Sequence, residues 1–330
     1  MVCEGEQTMT LQELRDKINA AFSVSTVQVY FVLRSERELE LRLADIESGD
    51  TTTEIKAMFC SYINDLIVNN EALELCELST ADERQGAIYR YDYEEYPEEL
   101  GLLKNFNIDK AVNKIKKFDF SEDDLGKLFG YIIYLGSMYN GIVLFKKHYQ
   151  ISLIKRDSFL LGAIKSNRRF ERVTDDIIRL NGVTQMFCVD NEIFVIDLKA
   201  MKQNSGFSQL ILKSAGDTIQ AINDLSLIED IQALKDAVED SSFALKLSKI
   251  KKSSPIFKLN IPKEAIIEFT KTNPALTGKF KYSEDESMLR LDTKKSKELF
   301  IKLMNDAFLH SELTKQYYEA KAKDNITQEA

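Results

Sequence analysis

The feature that most constrains the fold is a run of eighteen residues, Leu128 to Phe145, without a charged side chain. A run of this length is near the lower limit for a helix that spans a membrane. Asn140 and Gly141 interrupt it, and Asn-Gly is a strong turn signal. We therefore predict that the run is buried in a protein core, as a helix followed by a strand, and that it does not cross a membrane.

The patterns on either side of this run predict helices and antiparallel-type strands together, an α+β (mixed α/β) fold. Thr10 and Glu13 form a capping-box pair at the start of an apolar helical stripe. Strands are predicted from alternating apolar residues at 27–33, 39–43, 72–78, 87–93, 142–145, 150–154, 170–180, 183–189 and 192–197. Helices are predicted at 10–22, 55–66, 104–117, from Ser121 onward, 227–238, 262–269 and 299–308. Asp190 and Asn191 predict a tight turn, and 279–282 with 288–291 predicts a hairpin.

The distribution of charge predicts two regions that meet near Phe118. Residues 1–120 carry 13 Lys+Arg against 24 Asp+Glu, whereas residues 246–302 carry 14 against 7. We predict an acidic N-terminal α+β domain over 1–117 and a larger α+β domain over 118–320, with an antiparallel or mixed sheet flanked by helices. A flexible tail is predicted at 321–330. The four cysteines are scattered and no signal peptide is evident, so we expect a cytoplasmic protein.

A basic cluster formed by Lys165, Arg168, Arg169 and Arg172 is a candidate for binding DNA. On a helix this spacing would place all four side chains on one face, where arginine can bind phosphate oxygens in a bidentate manner. On a strand, Arg169 would point away from Arg168 and Arg172. A solvated surface paired with nearby acidic residues is the structural alternative.

Two groups of lysines are further candidates for DNA binding. Lys249, Lys251 and Lys252 end a predicted helix, where cations also complement the helix dipole. The second group opens the last predicted helix, where the dipole disfavours cations, and consists of Lys294, Lys295 and Lys297. No RNA-recognition motif or paired zinc ligands occur, so any contact should be directed at the phosphate backbone. A duplex-binding role requires that these side chains gather on one surface.

A metal-dependent nuclease is the enzymatic alternative, with Asp190, Asp197 and Lys199 as its candidate site. Restriction-type nucleases use an acid on one strand and acid-x-Lys on the next to hold Mg²⁺ and activate water. A polar turn and a strand-end charge explain the same residues. His148 and His310 are isolated from any nucleophile, and no phosphate-binding glycine loop occurs. We therefore expect a protein that is not an enzyme and needs no metal or other cofactor.

An acidic and aromatic segment is a candidate surface for a protein partner. Tyr89, Tyr91 and Tyr93 alternate along a predicted strand, and Glu94 and Glu95 follow them. Tyrosines supply rigid contact area and the carboxylates would attract a basic partner. The alternative is an edge strand that charge protects from aggregation.

Four long stretches of the chain resemble the KwaB family, the soluble subunits of the two-gene Kiwa anti-phage defence system. They are KRDSFLLGAIKSNRRFERVTDDIIRL (155–180), VTQMFCVDNEIFVIDLKAM (183–201), SSFALKLSKIKKSSPIF (241–257) and LTGKFKYSEDESMLRLDTKKSKELFIKLMNDAFLHSELT (276–314). The likeness extends from about Phe118 to Asp324 and is weaker before it.

The resemblance implies an antiviral protein of the bacterial cytoplasm that works with KwaA, a membrane protein of several spans. It implies a homodimer that is recruited to the inner membrane through KwaA, binds DNA without enzymatic activity, and hinders phage replication and late transcription. The family offers no catalytic motif that can be transferred to residues of this chain. A nuclease of the same system and an adaptor that does not bind DNA remain alternatives.

Overall fold

The fold is described from a computed structural model of the chain. The structure describes residues 8–23, 26–36, 38–80, 86–137, 140–154, 161–164, 169–172, 176–202 and 205–321, with the backbone alone at 80, 151, 154, 161–164, 169–172, 202 and 205. The helices within these residues are α1 (Leu11–Ser23), α2 (Asp50–Ile63), α3 (Glu98–Lys104), α4 (Ile108–Lys114), α5 (Leu198–Lys202), α6 (Ser205–Asp224), α7 (Gln232–Ala237), α8 (Ser241–Ser253), α9 (Pro255–Lys258), α10 (Lys263–Thr272) and α11 (Lys294–Met304). A π-helical turn, Asn64–Val68, extends α2.

The strands within the same residues are mostly short. They are β1 (Val27–Arg34), β2 (Leu39–Leu43), β3 (Glu74–Glu77), β4 (Ala87–Arg90), β5 (Leu128–Gly136), β6 (Gly141–Lys147), β7 (Leu153–Ile154), β8 (Leu161–Ile164), β9 (Arg169–Arg172), β10 (Ile177–Ile178), β11 (Met186–Val189), β12 (Glu192–Val195), β13 (Lys281–Tyr282), β14 (Leu289–Arg290), β15 (Phe308–His310) and β16 (Tyr317–Glu319). Helices and sheets thus occur together, and the predicted α+β class is confirmed.

Contacts divide the chain into two compact units, residues 1–75 with 98–200 and residues 76–97 with 201–330. The boundaries of these units differ from those of the predicted regions. Phe118, where the sequence predicts a boundary, lies inside the first unit and donates its backbone N–H to the carbonyl oxygen of Leu43 at 2.9 Å. Strand β1 also pairs directly with β5, on the far side of that position.

In the first unit, six strands follow one another in the order β2, β1, β5, β6, β11, β12. Each neighbouring pair is antiparallel. Strand β5 lies inside this sheet, and eight of its nine residues are buried. Since successive residues of a strand face opposite sides, both faces of the sheet are covered at β5.

The predicted helix in the uncharged run is wrong, because its first half forms β5. The predicted cap at Ser121 is also wrong, since Ser121 lies in a turn and Asp124 caps a short 3-10 helix instead. The predicted turn and the strand after it are confirmed, as β6 begins at Gly141. No helix in the described part of the chain has the length and apolarity that crossing a membrane would require.

Two local predictions in the first unit are confirmed in detail. Thr10 and Glu13 cap α1, with the Thr10 N–H donating to Glu13 Oε2 at 2.7 Å and the Glu13 N–H donating to Thr10 Oγ1 at 3.3 Å. Asp190 and Asn191 connect β11 and β12 with φ angles of 47° and 66°. Two positive φ angles in succession are the mark of the tight hairpin turn that matches strand twist.

The second unit is mainly helical. Helices α6, α7, α8, α10 and α11 supply most of its core, together with the predicted hairpin, which β13 and β14 confirm. Its central buried side chains are Ala215, Ile219, Ile222, Leu247, Ile250, Ile266, Leu289, Phe300, Leu303 and Met304. The hydrophobic stripes of α8 and α11 face this core, which directs their lysines toward solvent.

Candidate nucleic-acid interface

Helices α8 and α11 run parallel in the second unit and carry six of the predicted DNA-binding lysines. Lys294 opens α11, and its Nζ lies 3.8 Å from Oδ2 of Asp240, the residue that caps the start of α8. At the other end, the Ser254 hydroxyl donates to the carbonyl oxygen of Met304. Both amino-terminal ends therefore lie side by side.

Asp240 holds the start of α8 in place. Its Oδ1 accepts backbone N–H groups from Phe243 at 3.3 Å and Ser242 at 2.9 Å. These two hydrogen bonds lower the pKa of Asp240, and the charges of Lys294 and Lys246 lower it further. Lys246, which the sequence did not single out as a binding residue, therefore belongs with the lysines of α11.

Lys295 and Lys297 complete this group in the first turn of α11, which confirms that these lysines open a helix. The Thr293 side chain and Ser296 form a reciprocal capping box there. We call Lys246, Lys294, Lys295 and Lys297 the lysine corner. Each lysine of the corner is exposed or half-buried. Helix amino-terminal ends attract anions, and adjacent lysines add to the attraction, so the corner can hold phosphate groups.

The second lysine group lies at the carboxyl end of α8. Lys252 donates from Nζ to Oδ2 of Asp92 at 2.5 Å and to its carbonyl oxygen at 3.1 Å. Lys249 is half-buried and Lys251 is exposed. Residues one or two apart do not share a helix face, so Lys251 faces away from Lys249 and Lys252.

The structure thus does not show the single basic surface that the sequence-based hypothesis requires, and duplex binding must rest on the lysine corner alone. Asp240 and Lys252 are twelve residues apart along α8, a distance of about 18 Å at the helical rise. That distance equals roughly five base pairs of duplex, so only an extended polyanion could contact both ends.

The arginine cluster lies in the first unit. Arg169 and Arg172 bound strand β9, which pairs antiparallel with β8. The helical alternative is therefore wrong for these two residues. Lys165 and Arg168 lie outside the described residues.

The residues of the nuclease alternative do not converge on one metal. Asp190 lies in the turn before β12 and forms an ion pair with Lys17. Asp197 lies beyond the other end of β12, where its Oδ1 accepts the backbone N–H groups of Lys199 at 2.9 Å and Ala200 at 3.1 Å. The strand alone separates the two carboxylates by at least about 10 Å, too far for ligands of one Mg²⁺. No group of three His, Cys, Asp or Glu side chains in the described residues is placed to hold a metal ion.

The prediction that the tyrosines form an exposed surface is wrong. Strand β4 ends before Tyr91, and Tyr89 and Tyr91 are only 5% and 6% exposed. The ring of Tyr93 packs edge-on against Phe207 with 6.2 Å between centroids. Burial raises the pKa of Tyr93 to about 12. Tyr89 and Tyr91 therefore belong to the interior of the second unit, and Tyr93 is half-buried.

The two acids after the tyrosines are exposed. Glu95 forms an ion pair with Lys213 of α6, and Glu94 precedes it on the same surface segment. Of the predicted partner surface, this pair of glutamates is the part that solvent reaches. A sequence cannot distinguish a tyrosine that faces solvent from one that faces the core when the strand is this short.

Comparison with known proteins identifies the family. The family model described as "Kiwa protein KwaB-like" matches residues 125–314, more than half of the chain. The chain belongs to the KwaB-like family. It is 29% identical to the Kiwa protein KwaB of Escherichia coli O55:H7 (strain RM12579 / EPEC) over 325 residues, which cover 96% of this chain and 99% of that protein. No solved structure matches the chain.

Membership of the KwaB-like family associates the chain with Kiwa anti-phage defence. The matched region contains the arginine cluster, both lysine groups and the acids of the nuclease alternative, and it excludes the tyrosine segment. Both units carry an excess of acidic residues, 22 Lys+Arg against 28 Asp+Glu in the first and 22 against 25 in the second. Any attraction of this KwaB-like chain for a polyanion must therefore come from local groups such as the lysine corner.

Proposed function

We propose that this chain is a non-enzymatic, DNA-binding effector of Kiwa anti-phage defence. In this proposal it works with the membrane protein KwaA, which recruits it from the cytoplasm to the inner membrane, and hinders phage replication and late transcription. The observation that carries the proposal is the lysine corner at the parallel amino-terminal ends of α8 and α11.

Phosphate contacts explain why such a corner suits DNA of any sequence. A lysine ammonium is a compact charge that neutralises a phosphate without reading base edges. The helix dipoles reinforce it, because α8 and α11 both direct their positive ends to this surface. Asp240 and Thr293 already accept some of the N–H groups there, so the lysine charges supply most of the attraction. We expect binding that depends little on sequence, as an effector against diverse phage genomes requires.

The family resemblance supports the remaining parts of the proposal. A homodimer would present two lysine corners, and linked sites raise avidity without any new contact. The exposed acids Glu94 and Glu95 are available for a basic surface of KwaA, since opposite charges steer association. Recruitment to the membrane would then depend on KwaA.

Binding of a labelled duplex, measured by fluorescence anisotropy, tests the DNA contact. The triple variant Lys294→Gln, Lys295→Gln, Lys297→Gln removes three charges of the lysine corner. We expect its affinity for DNA to fall by at least about tenfold, because each lost phosphate contact weakens backbone binding. The matched control is Lys258→Gln, Lys263→Gln, Lys279→Gln, which removes two exposed lysines and one half-buried lysine of the same unit elsewhere and should change affinity less than about twofold.

Equal losses in the two triple variants would reject the lysine corner as the binding surface. No anisotropy change at any protein concentration would favour the adaptor alternative. Incubation of the same protein with Mg²⁺ and a supercoiled plasmid separates binding from hydrolysis, and cleavage that EDTA abolishes would overturn the non-enzymatic part of the proposal.

A further inference from the structure

A groove in the first unit is lined by residues that form no part of the lysine corner. Strand β2 and helices α3 and α4 line an open groove of about 480 Å³. Its apolar lining is Leu41, Leu102, Phe106, Ala111 and Ile115. This volume lies within the range of about 300–1,000 Å³ that small-molecule sites occupy, and such sites are mostly apolar with a few polar groups.

One side of the groove is formed by the outer edge of β2, which is closed on both sides of Leu41. Leu39 donates its N–H to Glu98 Oε1 at 2.7 Å, and Leu43 donates to the carbonyl oxygen of Lys116 at 2.9 Å. Alternate residues of a strand direct their backbone groups to the same side, so the backbone of Leu41 also faces outward. The Leu41 carbonyl oxygen accepts a hydrogen bond from Arg42 Nη1 at 3.0 Å, which leaves one open N–H group, too little for a peptide to add as a strand.

Gly101 keeps the groove open. It lies in the middle of α3, where glycine disfavours the helix relative to alanine. A Cβ atom built on Gly101 would meet no atom within 4 Å, so close packing does not explain the glycine. The missing side chain leaves space that a ligand can fill.

Two lysines give one rim of the groove a positive charge. Lys110 and Lys114 line it from α4, are both exposed, and have no ion pair within the described residues. They are four residues apart on one helix face, where like charges repel each other. Glu98, the acid on the opposite rim, already accepts the Leu39 N–H. An anionic group between the two lysines would relieve their repulsion.

We propose that this groove binds a medium-chain fatty-acid anion. The acyl chain would lie against the apolar side chains beside Gly101, and the carboxylate would lie between Lys110 and Lys114. A DNA backbone would gain nothing from the apolar lining, and a single open N–H group does not suit a peptide strand. The groove and the lysine corner share no residues, so ligand binding in the groove can be tested independently of DNA binding.

Isothermal titration calorimetry with decanoate, below the concentration at which it self-associates, tests the proposal on the full chain. Decanol is the neutral match of the same chain length. We expect saturable binding of decanoate, with affinity about tenfold above that of decanol. Across octanoate, nonanoate and decanoate, affinity should rise about fourfold for each methylene that enters the groove.

Two variants separate the parts of the groove. Gly101→Leu fills the cavity and should abolish binding of both ligands. Gly216→Leu is the matched control, because Gly216 is an exposed glycine of helix α6 whose added Cβ would also meet no atom within 4 Å. Lys110→Gln with Lys114→Gln should reduce decanoate binding about tenfold, to the level of decanol, and leave decanol binding unchanged.

Equal decanoate binding in Gly101→Leu and Gly216→Leu would overturn the proposal, as would the absence of saturable binding to the unmodified chain. Vesicles of phosphatidylglycerol address a second occupant. If they bind the protein through the same residues while decanoate does not bind, the occupant is a bilayer and the fatty-acid proposal is wrong. Loss of duplex DNA binding in Gly101→Leu, with no decanoate binding, would reassign the groove to nucleic acid.

Discussion

The carboxylate of Asp92 is mostly buried and accepts hydrogen bonds from Ser79 as well as from Lys252. Lys252→Ala would leave that carboxylate without its counter-ion. We expect a loss of about 0.5–1 kcal/mol in the free energy of unfolding, since the exposure of Lys252 weakens the pair. Urea denaturation measures this value, and Lys251→Ala, one residue away and exposed, should cost almost nothing. A Lys252→Ala variant as stable as Lys251→Ala would show that the pair contributes no stability.

His148 makes the stability of the first unit depend on pH. Burial, together with the charge of Lys146, lowers the pKa of His148 below its ordinary value, and its Nδ1 lies 2.8 Å from the Tyr131 hydroxyl. The unfolded chain therefore takes up this proton at a higher pH than the folded chain. Stability that is fully present above about pH 6.5 is lost as pH falls through the lowered pKa.

His148→Gln replaces the titrating imidazole, so the free energy of unfolding should depend less on pH in this range. Urea denaturation of both proteins at about pH 7.5 and about pH 5.5 measures the difference, because contributions from other groups are shared and cancel. The unmodified protein should lose more stability between the two pH values. An equal loss in the two proteins would mean that His148 keeps its ordinary pKa.

At the scale of elements, the sequence predicted best where a local signal fixes the conformation. The cap of α1 and the turn between β11 and β12 depend on interactions between residues that are close in sequence. Both predictions were confirmed. Strand β5 was mistaken for a helix because it is apolar at nearly every position. A strand that is covered on both faces loses the period of two, and periodicity alone cannot then separate it from a buried helix. Its aromatic and β-branched residues, Tyr131 to Tyr134, were the signal that could have decided it.

The turn between β11 and β12 can be tested through Asn191, whose φ is 66°. Asparagine tolerates this left-handed conformation, because its short polar side chain can form local hydrogen bonds, whereas alanine does not. We expect Asn191→Ala to cost about 1 kcal/mol of unfolding free energy and Asn191→Gly to cost none. Thermal and urea denaturation measure both, with Asn105→Ala, outside any positive-φ turn, as the control. Equal costs for alanine and glycine would contradict a conformational origin.

At the scale of the whole molecule, the sequence could place lysines on helices but could not show what they face. It predicted correctly that Lys294, Lys295 and Lys297 open a helix. The acid that binds Lys252 lies 160 residues away along the chain, and the charges of Lys246 and Lys294 both reach Asp240 only because α8 and α11 pack in parallel. Such pairings depend on tertiary packing, which no local pattern encodes. The same reason explains why the tyrosine segment was expected on the surface.

The charge of the whole molecule makes the salt dependence of DNA binding a decisive measurement. Both units are net acidic, so the lysine corner must attract phosphates against a repulsive background. Each phosphate that a lysine neutralises contributes about −0.9 to the slope of log K against log salt concentration. The triple variant Lys294→Gln, Lys295→Gln, Lys297→Gln should therefore make that slope shallower by about 2.7, whatever other residues contact DNA. The control variant Lys258→Gln, Lys263→Gln, Lys279→Gln alters the net charge equally and should leave the slope unchanged. If both triple variants shift the slope alike, the attraction comes from overall charge and no local phosphate site exists at α8 and α11.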